Sequence, residues 1–170
     1  MKFLIISDIH DNSANLEKCA RWGKSEKIEN AICCGDVANA ETLKRLAENF
    51  KAVYLVRGNM EIYGESEIEK YENIKYGGRF GVFEISGKII GLCHEPRFMA
   101  QVLEIKKCSV IFYGHTHKPW IEEKDGIISA NPGTLGGVFN KASFAVWDSE
   151  SGKLELKILE LLHMERAICF

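Results

Sequence analysis

The sequence predicts an α/β fold whose first half forms a parallel β-sheet. Between residues 3 and 56, short apolar runs alternate with amphipathic segments in a β-α-β-α-β order. Right-handed crossovers between parallel strands produce this order. From residue 80 onward, apolar segments instead flank turn dipeptides such as Ser86-Gly87 and Asp125-Gly126, a pattern typical of β-hairpins. We therefore expect a parallel sheet followed by a hairpin-rich second half.

Three strands and two helices are predicted in the first third of the chain. Asn12 or Ser13 is expected to cap the first helix, since both side chains can accept a bond from a free amide of the first turn. Leu43 and Leu46 are spaced for one face of the second helix. The predicted strands are 3–7, 31–34 and 52–56, and the predicted helices are 13–23 and 38–50.

The remainder of the chain is predicted to form hairpins and one further helix. The polar stretch 59–79 is interpreted as a loop with one helical turn. We expect a hairpin over 80–95, a helix over 96–107, a strand over 109–113, a turn at 125–126, and strands over 144–147 and 154–159. Residues 160–170 are interpreted as a C-terminal helix or tail. The length suits one core, so residues 1–170 are predicted to be a single domain.

Composition and charge predict a cytoplasmic protein without a membrane segment. The net charge is −2, which gives no global attraction to nucleic acid or to an anionic membrane. Asp8 interrupts the N-terminal apolar run, so a signal peptide is not expected. Six cysteines occur without a CxxC pair, which disfavours a zinc ribbon or a thioredoxin-like site and fits reduced thiols.

Side chains of metal-binding type follow five predicted apolar strands. In open α/β sheets, ligands bind beyond the carboxyl ends of the strands. We therefore expect these side chains to converge on one edge, although more than a hundred positions separate them in sequence. The candidate ligands are Asp8, His10, Asp36, Asn59, His94, His115 and His117.

The chemistry of this set predicts two metal ions rather than one. Two aspartates, one asparagine and four histidines suit Mn²⁺, Fe²⁺, Zn²⁺, Co²⁺ or Ni²⁺ better than Ca²⁺ or an iron–sulfur cluster. Seven ligands exceed the needs of one tetrahedral ion, but they suit two ions about 3.5–4 Å apart that share a carboxylate. Gly35, Gly58 and Gly114 each precede a candidate ligand and would allow the backbone a close approach.

The ordered motifs resemble those of the calcineurin-like metallophosphoesterase superfamily. They are D-x-H, G-D, G-N, a lone His and G-H-x-H, and the resemblance runs from residue 7 to about residue 134. The short length and the "NPGT" after the last motif are similar to its small phosphodiesterase branch. The resemblance implies a four-layer α/β/β/α sandwich of two mixed β-sheets. It also implies a dinuclear enzyme that hydrolyses P–O bonds of small phosphodiesters by attack of a metal-bridging hydroxide.

The same resemblance assigns a role to each candidate ligand. Asp36 would bridge the two ions, and Asp36, Asn59 and His94 would be the catalytic residues. Manganese is the first expectation for both cofactor ions, with nickel, zinc, iron or cobalt as alternatives. Asp8, His10 and His117 would hold the first ion, and Asn59, His94 and His115 the second.

One position departs from the family pattern. The family often has a histidine after the G-N pair, where this chain has Met60. Methionine can neither stabilise a phosphoryl group nor protonate a leaving group, so weaker catalysis or a need for good leaving groups is expected. Glu61 and Glu95 are interpreted as solvated loop acids, and Arg57 and Arg97 as surface residues that could meet substrate phosphate.

Each candidate ligand also has a structural interpretation. Asp8 and Asp36 could cap helices, Asn59 could be a turn residue, and His94 could be an ordinary histidine at a strand end. The position of each within the ordered set favours the metal role.

Three other functions remain open at this point. The chain also resembles the small retromer subunit of eukaryotes, so one alternative is a non-catalytic scaffold for protein partners. Nuclease and phosphomonoesterase activities of the same superfamily are the others. The charge and the lack of a basic, aromatic-rich segment disfavour nucleic acid. A homodimer is one expectation for the assembly.

Overall fold

The computed structural model describes residues 1–162 as two mixed β-sheets with helices on their outer faces. Residues Leu159–Leu161 form a short 3₁₀ turn. The rest of the predicted C-terminal helix or tail, residues 163–170, lies outside the described part of the chain.

Eleven strands and four α-helices alternate along the described chain, with a further 3₁₀ turn at Pro96–Phe98. The strands are β1 (Lys2–Ile6), β2 (Asn30–Cys33), β3 (Ala52–Leu55), β4 (Ile74–Tyr76), β5 (Phe80–Ile85), β6 (Lys88–Cys93), β7 (Val110–Phe112), β8 (Trp120–Lys124), β9 (Ile127–Asn131), β10 (Ser143–Asp148) and β11 (Leu154–Ile158). The helices are α1 (Ser13–Ser25), α2 (Ala40–Asn49), α3 (Glu65–Ile68) and α4 (Met99–Ile105).

The first sheet contains the predicted parallel strands. Its order is β11-β10-β1-β2-β3-β4, and β1 to β4 pair in parallel. Strand β10 pairs antiparallel with β1, and β11 continues antiparallel at the edge. The Asn12 side chain accepts a bond from the Asn15 amide at the start of α1, and the Asn39 side chain caps α2 in the same way. These caps end the loops that follow β1 and β2.

The second sheet is built largely from the two predicted hairpins. Its order is β5-β6-β7-β9-β8, with β6, β7 and β9 parallel and the outer strands antiparallel. Both central residues of each turn, Ser86-Gly87 and Asp125-Gly126, have positive φ. This conformation matches the twist of the strands and confirms both predicted hairpins.

Three apolar layers join the sheets and helices into an α/β/β/α sandwich, as predicted. Residues of β1 alternate between two of these layers. Leu4 and Ile6 face α1 and α2, whereas Phe3 and Ile5 face the second sheet. On the far side, Val102 of α4 packs on the outer face of the second sheet.

Two predictions in the middle of the chain were wrong in detail. Residues Ile74–Tyr76 form an edge strand where the sequence predicted a loop. The strand is short and none of its side chains is fully buried, so it lacks the apolar alternation that identifies strands. The helix predicted over 96–107 is divided into a 3₁₀ turn that begins at Pro96 and the seven residues of α4. Only Val102 of α4 is buried, so little packing supports a longer helix.

Within residues 1–162, no helix is both long enough and apolar enough to cross a membrane.

We predict that the layer between the sheets depends on Trp147. Its ring lies 5.7 Å from that of Phe3 in the first sheet and 5.4 Å from that of Phe112 in the second. Trp147→Ala should therefore lower the free energy of unfolding by about 3–5 kcal/mol in urea titrations. Trp120→Ala is the matched control, since Trp120 is 48% exposed, and should change it by about 0.5 kcal/mol or less. Equal effects of the two substitutions would refute this.

Candidate metal centre

The seven predicted ligands lie together at the carboxyl ends of five strands. The two sheets place their parallel strands with these ends at a common edge of the sandwich. The loops after β1, β2 and β3 bring one group of the side chains from the first sheet, and those after β6 and β7 bring the others from the second. The residues that meet at this edge are Asp8, His10, Asp36, Asn59, His94, His115 and His117.

One set of donor atoms comes from Asp8, His10 and His117. The Nε2 atom of His117 lies 3.1 Å from Asp8 Oδ1 and 3.2 Å from His10 Nε2. His10 Nε2 lies 3.8 Å from Asp8 Oδ1. Separations of this size are those expected between ligands of one cation with bonds of about 2.0–2.2 Å.

A second set comes from Asn59, His94 and His115. Asn59 Oδ1 lies 3.0 Å from both His94 Nε2 and His115 Nδ1. Asp36 stands between the two sets, because its Oδ2 atom is 3.2 Å from His94 Nε2 and 3.7 Å from His10 Nε2. A single carboxylate oxygen therefore faces donors of both sets.

Hydrogen bonds behind the rings fix two of the imidazoles. His94 Nδ1 lies 2.8 Å from the carbonyl oxygen of Cys34, and His117 Nδ1 lies 3.0 Å from that of Val138. Because a carbonyl oxygen can only accept, each Nδ1 carries its proton and each Nε2 points into the site.

The atoms facing each other in the site are mostly acceptors. The Nε2 atoms of His94 and His117 face oxygens of Asp36, Asn59 and Asp8. Asp8 Oδ1 is buried without a hydrogen-bond partner. Such contacts need a shared proton or a cation between the atoms. A ring proton can bridge only one or two of these electron-rich atoms. One cation in each set could instead contact all the ligand atoms of that set, so the residues fit two cations.

Backbone conformation at the strand ends is unusual. Five of the seven residues have positive φ: Asp8 at 52°, His10 at 45°, Asp36 at 53°, His115 at 69° and His117 at 58°. Residues other than glycine adopt this region at a cost of order 1–3 kcal/mol each. Backbone hydrogen bonds hold the loops in place. For example, the His10 amide donates to the Asp36 carbonyl oxygen at 3.0 Å. This feature was not predicted from the sequence.

The glycines before three ligands have the predicted role. A Cβ on Gly58 would overlap the carboxylate of Asp36, and a Cβ on Gly114 would overlap the hydroxyl of Ser7. Gly35 has a φ of +96°. Gly136 was missed by the sequence analysis, although a Cβ there would lie 2.6 Å from the Ile9 carbonyl oxygen.

Burial and charge shift the acidity of the central groups in opposite directions. Burial raises the pKa of Asp8, although His94, Ser7 and His117 oppose it. Burial also acts to raise the pKa of Asp36, but the hydrogen bond and charge of His94 and the Met60 amide outweigh it, so that pKa is lowered. For His94, burial acts to lower the pKa and is outweighed by Asp36, so its pKa is raised.

Several residues around the ligands were interpreted wrongly or missed. Glu61 was predicted to be solvated but is buried, with its Oε1 accepting from the Val37 amide at 3.3 Å. Thr134, from the "NPGT" segment, donates to the Asp8 carbonyl at 3.0 Å. The Phe139 ring, 92% exposed, lies 5.6 Å from the ring of His117. No periodicity marks Phe139 in the sequence, because it lies in a loop.

Comparisons with known proteins agree with the fold. The family model for the calcineurin-like phosphoesterase superfamily domain matches residues 1–152. Phosphodiesterase MJ0936 of Methanocaldococcus jannaschii is 27% identical over 172 residues, covering 94% of this chain and 100% of that protein. Vacuolar protein sorting-associated protein 29 of Schizosaccharomyces pombe is 26% identical over 153 residues, covering 88% of this chain and 79% of that protein.

A solved structure shares the fold over nearly its whole length. It is described as a novel archaeal phosphodiesterase, with a TM-score of 0.82 and 24% identity over 93% of this chain and 99% of that one. Fold and site together define a metal-dependent phosphoesterase, a hydrolase of phosphoric esters, as predicted. The chain belongs to the calcineurin-like phosphoesterase superfamily.

We predict that Gly58→Ala will disturb the centre through Asp36. The added methyl group would displace the carboxylate that faces both sets, so the affinity for Mn²⁺ should fall at least about tenfold in isothermal titration calorimetry. Gly64→Ala is the control, because a Cβ there meets only Ser66 Oγ at 3.7 Å. Unaltered Mn²⁺ affinity in a folded Gly58→Ala protein would contradict the close approach.

Proposed function

We propose that the protein is a dinuclear metal-dependent phosphodiesterase acting on small phosphodiesters. The observation that carries this proposal is the position of Asp36 Oδ2 between two sets of donor atoms. Asp8, His10 and His117 would hold one ion with Asp36, and Asn59, His94 and His115 the other. This division supports the assignment made from the sequence.

Two bound divalent cations would supply hydroxide from water near neutral pH and would offset the negative charge of the phosphoryl oxygens. The chain's own residues prepare the site for this chemistry. The Cys34 and Val138 carbonyls keep the Nε2 atoms of His94 and His117 directed inward. The Met60 amide donates to Asp36 Oδ1 at 2.9 Å, which leaves Oδ2 directed at the two sets.

Manganese is the first metal to test, and the donor chemistry is compatible with it. The sets contain oxygen and imidazole nitrogen atoms but no sulfur, which suits Mn²⁺ and also Ni²⁺, Zn²⁺, Fe²⁺ or Co²⁺. The carbonyl oxygen of Cys34 lies 2.8 Å from His94 Nδ1. Burial raises the pKa of its thiol well above the ordinary value, so it stays protonated.

The surroundings of the site support a small ester substrate. Asn59 and His115 are exposed, so one side of the second set opens to solvent. Met60 is 52% exposed and offers no proton to a leaving group. A diester with a good leaving group needs little protonation, and the relative from Methanocaldococcus jannaschii is named a phosphodiesterase.

The scaffold function has some independent support. The chain is similar to the vacuolar protein sorting-associated protein of Schizosaccharomyces pombe. Trp120 and Ile121 are exposed on β8, which lies at the edge of the second sheet. Exposed apolar side chains of this kind occur at protein interfaces. A homodimer, a cytoplasmic location and a single domain over residues 1–170 stay predictions from the sequence.

We predict that hydrolysis of bis-p-nitrophenyl phosphate will depend on added Mn²⁺ and on Asp36. Asp36→Asn removes the charge that faces both sets while keeping a side chain that tolerates positive φ. The value of kcat/KM, measured from the release of p-nitrophenolate, should fall about a hundredfold or more. Activity on the monoester p-nitrophenyl phosphate should be lower than on the diester in the unmodified protein.

Asp125→Asn is the matched control for this experiment. Asp125 also has positive φ, but it lies in the exposed turn between β8 and β9 and is not one of the candidate ligands, so its substitution should leave kcat/KM unchanged. Protein that binds none of Mn²⁺, Ni²⁺ and Zn²⁺ and cleaves neither ester would favour the scaffold function.

We predict that Met60→His will raise turnover on diesters with poor leaving groups. An imidazole at this exposed position beside Asp36 could donate a proton to a departing alkoxide, an effect worth up to about a hundredfold. Rates for alkyl and p-nitrophenyl diesters should be compared in both proteins. Met60→Leu, which donates no proton, should give no increase, and equal rates for the histidine variant would argue against the predicted role.

A further inference from the structure

A separate cavity adjoins the second set of ligands. Its volume is about 240 Å³, and Asn59 lines it as well as contributing to the ligand set. A substrate group in this cavity can therefore belong to a molecule whose phosphorus lies at the metal centre. The lining residues are Arg57, Gly58, Asn59, Glu61, Arg79 and Glu95.

Two arginines line the cavity without a carboxylate partner. Arg57 Nη2 donates to the carbonyl oxygen of Glu61 at 3.4 Å. The guanidinium of Arg79 lies 5.3 Å from the centre of the Phe98 ring. Within residues 1–162, neither guanidinium has an ion pair within 4.0 Å. Both therefore retain donors for a planar anion.

The two acids of the cavity are placed differently. Glu95 lines the cavity and forms an ion pair at 2.8 Å with Arg97, which does not line it. Glu61 Oε1 accepts from the Val37 amide at 3.3 Å, whereas its Oε2 is buried without a hydrogen-bond partner in the described part of the chain. Neither carboxylate neutralises Arg57 or Arg79 by direct contact, so the cavity presents two cationic groups to a ligand.

We propose that this cavity is a binding subsite for an anionic group, a carboxylate or a phosphate, on one ester arm of the substrate. Arg57 and Arg79 bind the anion, and Asn59 joins the subsite to the metal centre. This inference rests on the proposed phosphodiesterase function and specifies its substrate class: diesters that carry a second negative charge.

The test uses pairs of diesters that differ only in the charge of one arm. For the p-nitrophenyl diesters, 2-carboxyethyl and 2-phosphonooxyethyl arms are compared with a neutral propyl arm. With Mn²⁺ present, kcat/KM should be about tenfold or more higher for a charged arm, mainly through a lower KM. The ratio for each of the two anions shows which of them the subsite prefers.

Three substitutions assign the effect to the cavity. Arg57→Met and Arg79→Met should bring the charged-to-neutral ratio close to one, and Arg79→Lys should restore part of it. Arg21→Met is the matched control, since Arg21 is exposed on α1 and does not line the cavity. It should keep the ratio of the unmodified protein.

A binding measurement separates this inference from the proposed function. Calorimetry should show tighter binding of 2-carboxyethylphosphonate than of propylphosphonate to the Mn²⁺-loaded protein, with the difference lost in Arg79→Met. This result would support the subsite even if no diester were cleaved. Equal binding of the two phosphonates, or a preference that persists in both arginine variants, would overturn it.

Discussion

Electron-rich atoms facing one another around Asp36 are the constraint on which the rest of the structure depends. Oxygens of Asp8, Asp36 and Asn59 lie close to imidazole nitrogens whose opposite sides already donate to carbonyl groups. Such an arrangement is costly without positive charge between the atoms. It explains why a buried apolar strand such as β1 leads directly into a carboxylate and an imidazole.

The architecture serves this constraint through two sheets rather than one. Asp36 and Asn59 follow strands of the first sheet, whereas His94 and His115 follow strands of the second. Their spacing therefore depends on the apolar layer between the sheets as well as on the loops. This layer includes Trp147. Because packed cores resist deformation, the layer keeps the ligands from the two sheets at fixed distances from one another.

Much of the fold and of the ligand set could be predicted from the sequence. The crossovers, both hairpins and the ligand positions depend on local signals, such as Asp125-Gly126 and the strand-terminal Asp8. Features that depend on distant packing were not predictable. Glu61 is buried where its carboxylate accepts from the amide of Val37, a residue in a different loop. Arg79 shares a cavity with Arg57 because β4 pairs with β3.

The burial of the cysteines affects their reactivity. All five within residues 1–162 are buried, and burial raises the pKa of their thiols, to about 12 for Cys93. Thiolate is the reactive form, so oxidants and alkylating reagents should react slowly with these cysteines while the chain is folded. The rate at which each of these sulfur atoms is modified would instead report how often the protein opens locally around that cysteine.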